Sequence, residues 1–234
     1  MVTAFPLILR NLAVRRQGKR VLGPLDLTVG AGGPTVVIGP NGSGKTTLLR
    51  VMHGIERLSA GEVAWAEDRP GQRAFVFQSP IVLRRSVSDN LAFPLRLVGR
   101  PRSEIAAEVD HWLARTGLTA LRDSPAPRLS GGERQKLAIA RALICKPTVL
   151  FLDEPCANLD GHATREIEAL LSEAAAAGTE VVMATHDMGQ ARRLARHVLF
   201  VLDGRIHEEG PAKTLLSAPD TAELAAFLRG DIVT

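Results

Sequence analysis

Gly39-Pro40-Asn41-Gly42-Ser43-Gly44-Lys45-Thr46-Thr47 fits the pattern G-x-x-x-x-G-K-[ST]. The apolar run Pro34-Thr35-Val36-Val37-Ile38 before it reads as a short buried strand, and Thr46 to His53 after it reads as a helix closed by Gly54. Glycines let such a loop wrap so that successive backbone N–H groups face one anion. The helix that follows adds its partly positive N-terminus. Lys45 supplies a full charge for phosphate oxygens, and the Thr46 hydroxyl suits a magnesium ion. A strand, a loop and a helix in this order predict an α/β core with a mostly parallel sheet.

Outward from the loop, further apolar runs end in polar residues. Val149-Leu150-Phe151-Leu152 delivers Asp153 and Glu154, and Arg73 to Phe77 delivers Gln78. Val181 to Thr185 delivers His186 and Asp187. In a parallel α/β sheet such residues gather at the carboxyl edge, where ligands bind. Asp153 is then a metal-holding carboxylate and Glu154 a general base for an attacking water. Gln78 reaches the metal's water shell and the nucleophile. His186 is a donor to phosphate and water. The other five histidines show no metal spacing.

The rest of the chain frames this core. Leu7 to Val14 and Val21 to Val29 read as paired strands, with turns at Gln17-Gly18 and Gly23-Pro24. Residues 79–128 change texture and read as an inserted helical lobe, with Ser103 as N-cap of a helix from Glu104 to Thr116. Glu133 to Cys145, Thr164 to Ala177, Met188 to Ala195 and Ala222 to Leu228 read as helices, and Val198 to Glu209 as a hairpin around Asp203-Gly204. The expected division is a core of 1–78 and 129–234 around a helical part at 79–128.

Composition narrows the function classes. With 45% hydrophobic residues the chain fills a core. No apolar run approaches the roughly 20 residues of a membrane span, and Met1 to Leu9 lacks the basic start of an export signal. The formal net charge is +4, but the arginines are dispersed and no basic block forms, which argues against nucleic acid. Cys145 and Cys156 read as reduced thiols of a cytosolic protein.

Leu129-Ser130-Gly131-Gly132-Glu133-Arg134-Gln135 lies between the loop and the acidic strand. The loop, Gln78, this turn, Leu152 to Pro155, Asn158-Leu159-Asp160 and His186 occur in the order of an ATP-binding cassette domain, which the chain resembles over nearly its whole length. The resemblance implies a phosphate-loop ATPase core, an N-terminal antiparallel β-subdomain and an inserted α-helical subdomain. It implies ATP and Mg²⁺ as ligands, with Thr46, Gln78 and Asp153 around the metal. It also implies a head-to-tail homodimer with ATP sandwiched between subunits. Ser130, Gly131, Gly132 and Gln135 would then serve the ATP held by the other copy, and Asp160 would sit at the interface.

Two departures stand out. The family places an aromatic residue near the end of the first strand to stack on adenine. This chain has no tyrosine, and the position falls at Arg16, whose guanidinium plane can stack on a purine. Cys156 replaces the common threonine after Asp-Glu-Pro and reads as a small buried filler.

The resemblance also bears on role. Exporters often carry Val-Gly-Glu ahead of the signature turn, where this chain has Asp123 to Arg128. An importer subunit is expected, peripheral on the inner face of the cell membrane. It would work with integral membrane permease subunits and, indirectly, an extracytoplasmic substrate-binding protein. Phe77 to Val87 and Thr185 to Ala195 resemble the ATPases of tungstate and related oxyanion importers, so tungstate or molybdate is the expected cargo. Phosphate or amino-acid import, or an exporter or lipid-handling complex, are the alternatives.

Overall fold

Two sheets share α1 (Lys45–His53) between them, and that arrangement sets the site. The computed structural model describes residues 5–67 and 72–231. The start and end of the expected core, at 1–4 and 232–234, lie outside the described residues.

The first sheet is antiparallel, in the order β2 (Lys19–Val29), β1 (Leu7–Arg16), β4 (Ala60–Trp65). The second has six strands, ordered β5 (Arg73–Val76), β6 (Val149–Asp153), β7 (Glu180–Ala184), β3 (Thr35–Ile38), β8 (His197–Leu202) and β9 (Arg205–Pro211). All its pairs are parallel except β8 with β9. β3, β6 and β7 are apolar over nearly their whole length, as strands covered on both faces must be.

On one face α1 packs Leu48, Leu49 and Met52 against Leu9, Leu12 and Phe151, joining the two sheets. On the other, α4 (Gly131–Leu143), α5 (Gly161–Ala176), α6 (Met188–Leu194) and α8 (Ala222–Arg229) bury Ile139, Ile167, Ala191 and Leu224 against Leu150, Met183 and Phe200. A short α7 (Ala212–Leu215) follows β9.

The region 79–128 holds α2 (Val87–Leu97), α3 (Arg102–Thr116) and two single 3₁₀ turns. Its core is not its own. Leu91, Leu95, Val109 and Leu113 close on Leu137, Ala140 and Ile144, which belong to α4 and the residue that caps it.

Several expectations need correction. Ser103 does not cap α3, which begins at Arg102 with Pro101 before it. Pro101 holds φ at −58°, and its carbonyl accepts from the Ile105 N–H at 3.0 Å. Gly23-Pro24 is no turn but lies inside β2, where the register with β1 slips between Leu12 and Val14. β4 was not foreseen, because its pairing with β1 is remote in sequence and its own pattern is weakly apolar. α4 starts at Gly131, two residues before the expected Glu133, for a reason taken up below.

Candidate active site

The carboxyl edge of the six-stranded sheet collects the chemistry. The Gly39–Thr47 loop leaves β3, Asp153 ends β6, Gln78 lies just past β5 and His186 just past β7.

The loop is held tightly from within. Gly39 has φ +147°, and a methyl group there would meet the Val201 carbonyl oxygen at 2.1 Å. Gly44 enters α1 with φ +110°. Its carbonyl accepts from the Leu48 N–H at 2.8 Å, and the Ser43 carbonyl accepts from the Gly204 N–H at 2.9 Å. Asn41 and Gly42 are exposed, and Pro40 is half-buried, so the crest of the loop faces outward.

Lys45 folds back over this crest, donating from Nζ to the carbonyls of Gly39 at 2.8 Å and Pro40 at 2.9 Å. Burial pushes its pKa down, against the pull of Glu154 and Asp153. The Ser43 hydroxyl is buried with no hydrogen-bond partner, an unmet polar group inside the cradle. An orphaned hydroxyl, a lysine bonded only to neutral carbonyls and a helix N-terminus together fit a phosphate chain.

Thr46 Oγ1 donates to Asp153 Oδ1 at 2.8 Å. Burial pushes the Asp153 carboxyl up, against the Thr46 hydrogen bond and the nearby Arg50. Among the described residues no group of three or more His, Cys, Asp or Glu side chains could hold a metal. One hydroxyl and one carboxylate instead suit Mg²⁺, which takes its remaining oxygens from phosphates and water.

Glu154 is the point of convergence. Gln78 Nε2 donates to its Oε2 at 3.1 Å, and His186 Nδ1 lies 3.1 Å from the same oxygen. The histidine is 58% exposed, so its ring reaches the carboxylate from the open side. Gln78 is therefore placed on the carboxylate and not directly on Asp153. Glu154 itself has φ +47°, a left-handed conformation costly for a side-chain-bearing residue.

Ser130 stands elsewhere. It caps α4 in a capping box with Glu133: the Glu133 N–H donates to Ser130 Oγ at 3.4 Å and the Ser130 N–H donates to Glu133 Oε2 at 2.8 Å, with the hydroxyl donating to the same oxygen at 2.7 Å. The S-x-x-E pattern was present in the sequence and explains why the helix starts at Gly131. These bonds hold the Glu133 carboxyl below its usual range. Gln135 is 2% exposed, so the structure separates it from the exposed Ser130 and Gly131.

Asp160 caps α5, accepting from the N–H groups of His162 at 2.9 Å and Ala163 at 2.8 Å. Arg16 is about half exposed and pairs with Glu56 at 2.6 Å. The Cys156 thiol packs beside the second core, and burial pushes its pKa to about 11, as a filler requires.

Residues 22–157, which include the phosphate loop, the signature turn and the Asp153-Glu154 strand, match the family described as ABC transporter. The chain belongs to that family. Its relatives include the tungstate uptake system ATP-binding protein TupC of Peptoclostridium acidaminophilum, 38% identical over 85% of this chain and 95% of that protein. The L-cystine transport system ATP-binding protein TcyN of Escherichia coli is 35% identical over 94% of this chain and 95% of that one. The methionine import ATP-binding protein MetN of Cereibacter sphaeroides is 38% identical, and there the chain spans 63% of the relative's length.

Among solved structures, cbiO1 of Clostridium perfringens, part of the ABC transporter complex cbiONQ, superposes with a TM-score of 0.80. It is 29% identical, and the match covers 97% of this chain and 96% of that one. The fold is that of an ABC ATPase, as the sequence led us to expect. Among the described residues no helix is long and apolar enough to cross a membrane.

Proposed function

We propose that this ABC ATPase is the energy-coupling subunit of an importer, peripheral on the inner face of the cell membrane. It acts as a head-to-tail homodimer bound to separate permease chains. The observation that carries the catalytic part is the meeting of Gln78, His186 and Glu154 beside the Thr46–Asp153 pair.

The chain's own groups divide the work. The N–H groups of the loop and the Lys45 ammonium bind the phosphates of ATP. Thr46 and Asp153 would hold Mg²⁺, which when bound neutralises phosphate charge. Gln78 and His186 fix one Glu154 oxygen, and Glu154 accepts the proton of the attacking water as the bond to the departing ADP breaks. Among the described residues the Ser130 hydroxyl bonds to Glu133 and not to the loop, which supports a role for the signature turn toward a second copy's ATP.

The importer reading is supported by the relatives named for tungstate, cystine and methionine import. An oxyanion such as tungstate is our preferred cargo, on the 77–87 and 185–195 stretches and the near full-length match to the tungstate relative.

Glu154→Gln tests the site. ATP binding should persist, turnover should fall by about 10²–10⁴, and ATP should trap a dimer visible by light scattering. Hydrolysis near the wild-type rate would remove Glu154 from its role. Cargo is tested separately. Cells lacking this chain should lose uptake of isotopic tungstate, and unchanged uptake would discard the oxyanion while leaving the ATPase intact.

A further inference from the structure

Arg141 is a half-buried charged side chain without a charged partner among the described residues. It lies on α4, and its guanidinium donates from Nη1 to Asn90 Oδ1 at 3.2 Å and from Nη2 to the Ile81 carbonyl. Both acceptors are neutral, and among the described residues no carboxylate pairs with it. Burial alone moves its pKa, downward. Partly desolvating a charge has a cost that two neutral acceptors offset only in part, which makes the position a candidate for a role beyond packing.

Asn90 shows what that is. It is fully buried on α2, and its amide grips a segment that has no regular structure. Oδ1 accepts from the Leu83 N–H at 2.8 Å, while Nδ2 donates to the carbonyls of Leu83 at 3.2 Å and Ser86 at 2.8 Å. Together Arg141 and Asn90 hold the backbone at 81, 83 and 86 by four side-chain hydrogen bonds. That segment begins three residues after Gln78, which touches Glu154. At its outer side Ile81 is 65% exposed. α4 itself begins at the signature turn with Gly131, ten residues before Arg141 and about 15 Å along the helix axis.

We infer that Arg141 and Asn90 are positioning residues for hydrolysis: they clamp the segment after Gln78 to α4, so that Gln78 on the Glu154 carboxylate and the signature turn move as one body. This rests on the catalytic reading of Gln78 and Glu154 above. Without the clamp the 79–86 segment keeps its ends and the packing of Val82 but loses its polar anchor to α4, and Gln78 no longer holds the carboxylate in one orientation. Binding of ATP at the loop is untouched, because no clamp bond reaches Gly39–Thr47.

A double-mutant cycle tests this on the full chain. Arg141→Met removes the charge and keeps the bulk, and the Asn90 carbonyl oxygen still has the Leu83 N–H. We expect kcat to fall about tenfold, with KM for ATP within about twofold and little change in melting temperature. Hydrogen exchange of the 79–86 amides should quicken while α4 stays protected. Arg141→Lys should recover part of kcat.

In a Gln78→Ala background, Arg141→Met should cost almost nothing further, because both changes release the same carboxylate. Losses that multiply in the double variant would overturn the clamp, as would wild-type kcat in Arg141→Met. A parallel collapse of kcat, KM and melting temperature would also overturn it, in favour of a purely structural arginine. Should Arg141→Met fail to fold, the cycle is read with Arg141→Lys. Failure of the catalytic reading is told apart by Glu154→Gln, which would then turn over normally.

Discussion

Two of the chain's glycine-rich turns use glycine for opposite reasons. In the phosphate loop, Gly39 is demanded by its own chain, since a side chain there would strike the Val201 carbonyl at 2.1 Å in a backbone conformation that disfavours one. In the signature turn, Gly131 and Gly132 have ordinary helical backbones. A methyl group on Gly131 would meet nothing closer than Leu159 at 3.9 Å, and on Gly132 nothing closer than Ala163 at 3.3 Å. Glycine also costs roughly 1 kcal/mol against alanine inside a helix. One turn is small because the inside is full. In the other, Gly132 is itself tight against Ala163, and only at the exposed Gly131 does the chain leave room for a side chain.

The sharpest way to break this contrast is Gly39→Ala. It should lower stability by about 3 kcal/mol, read by urea unfolding, and abolish nucleotide binding. Ser130→Arg should leave the affinity of the monomer for ATP within about twofold and cut hydrolysis by about 100-fold or more. Lost affinity would mean that the signature turn serves its own subunit. Ser130→Ala is its control, costing about 1 kcal/mol for the missing cap.

Gly131→Ala sharpens the contrast most finely. It should raise the melting temperature slightly, by its helix propensity, and still slow turnover about tenfold through misplacement across the seam. Full activity with higher stability would remove the need for a close neighbour. The smallest effect concerns the base. With Arg16 held by Glu56 in place of an aromatic ring, GTP should support turnover within about tenfold of ATP. A larger gap would show that something else reads the base.

How much of this was legible depended on range. The phosphate loop, the Asp153-Glu154 strand, Gln78 and His186 are each written in a few adjacent residues, and a parallel sheet brings their strand ends together without further information. The capping box at Ser130 was equally local. β4 could not be read, because it exists only by pairing with β1. Arg141 looked like any helical arginine until the fold put Asn90 and the Ile81 carbonyl beside it. The start of α3 was misplaced by two residues because a proline and a serine competed for the same role, and the ring that already fixed its angle prevailed.

Glu154 holds φ at +47° at the residue whose carboxylate meets Gln78 and His186. Such a backbone costs about 1–2 kcal/mol for an ordinary residue. With Glu154 as the general base proposed above, durability and turnover pull in opposite directions at this joint, and selection for heat resistance alone would erode the reaction there first.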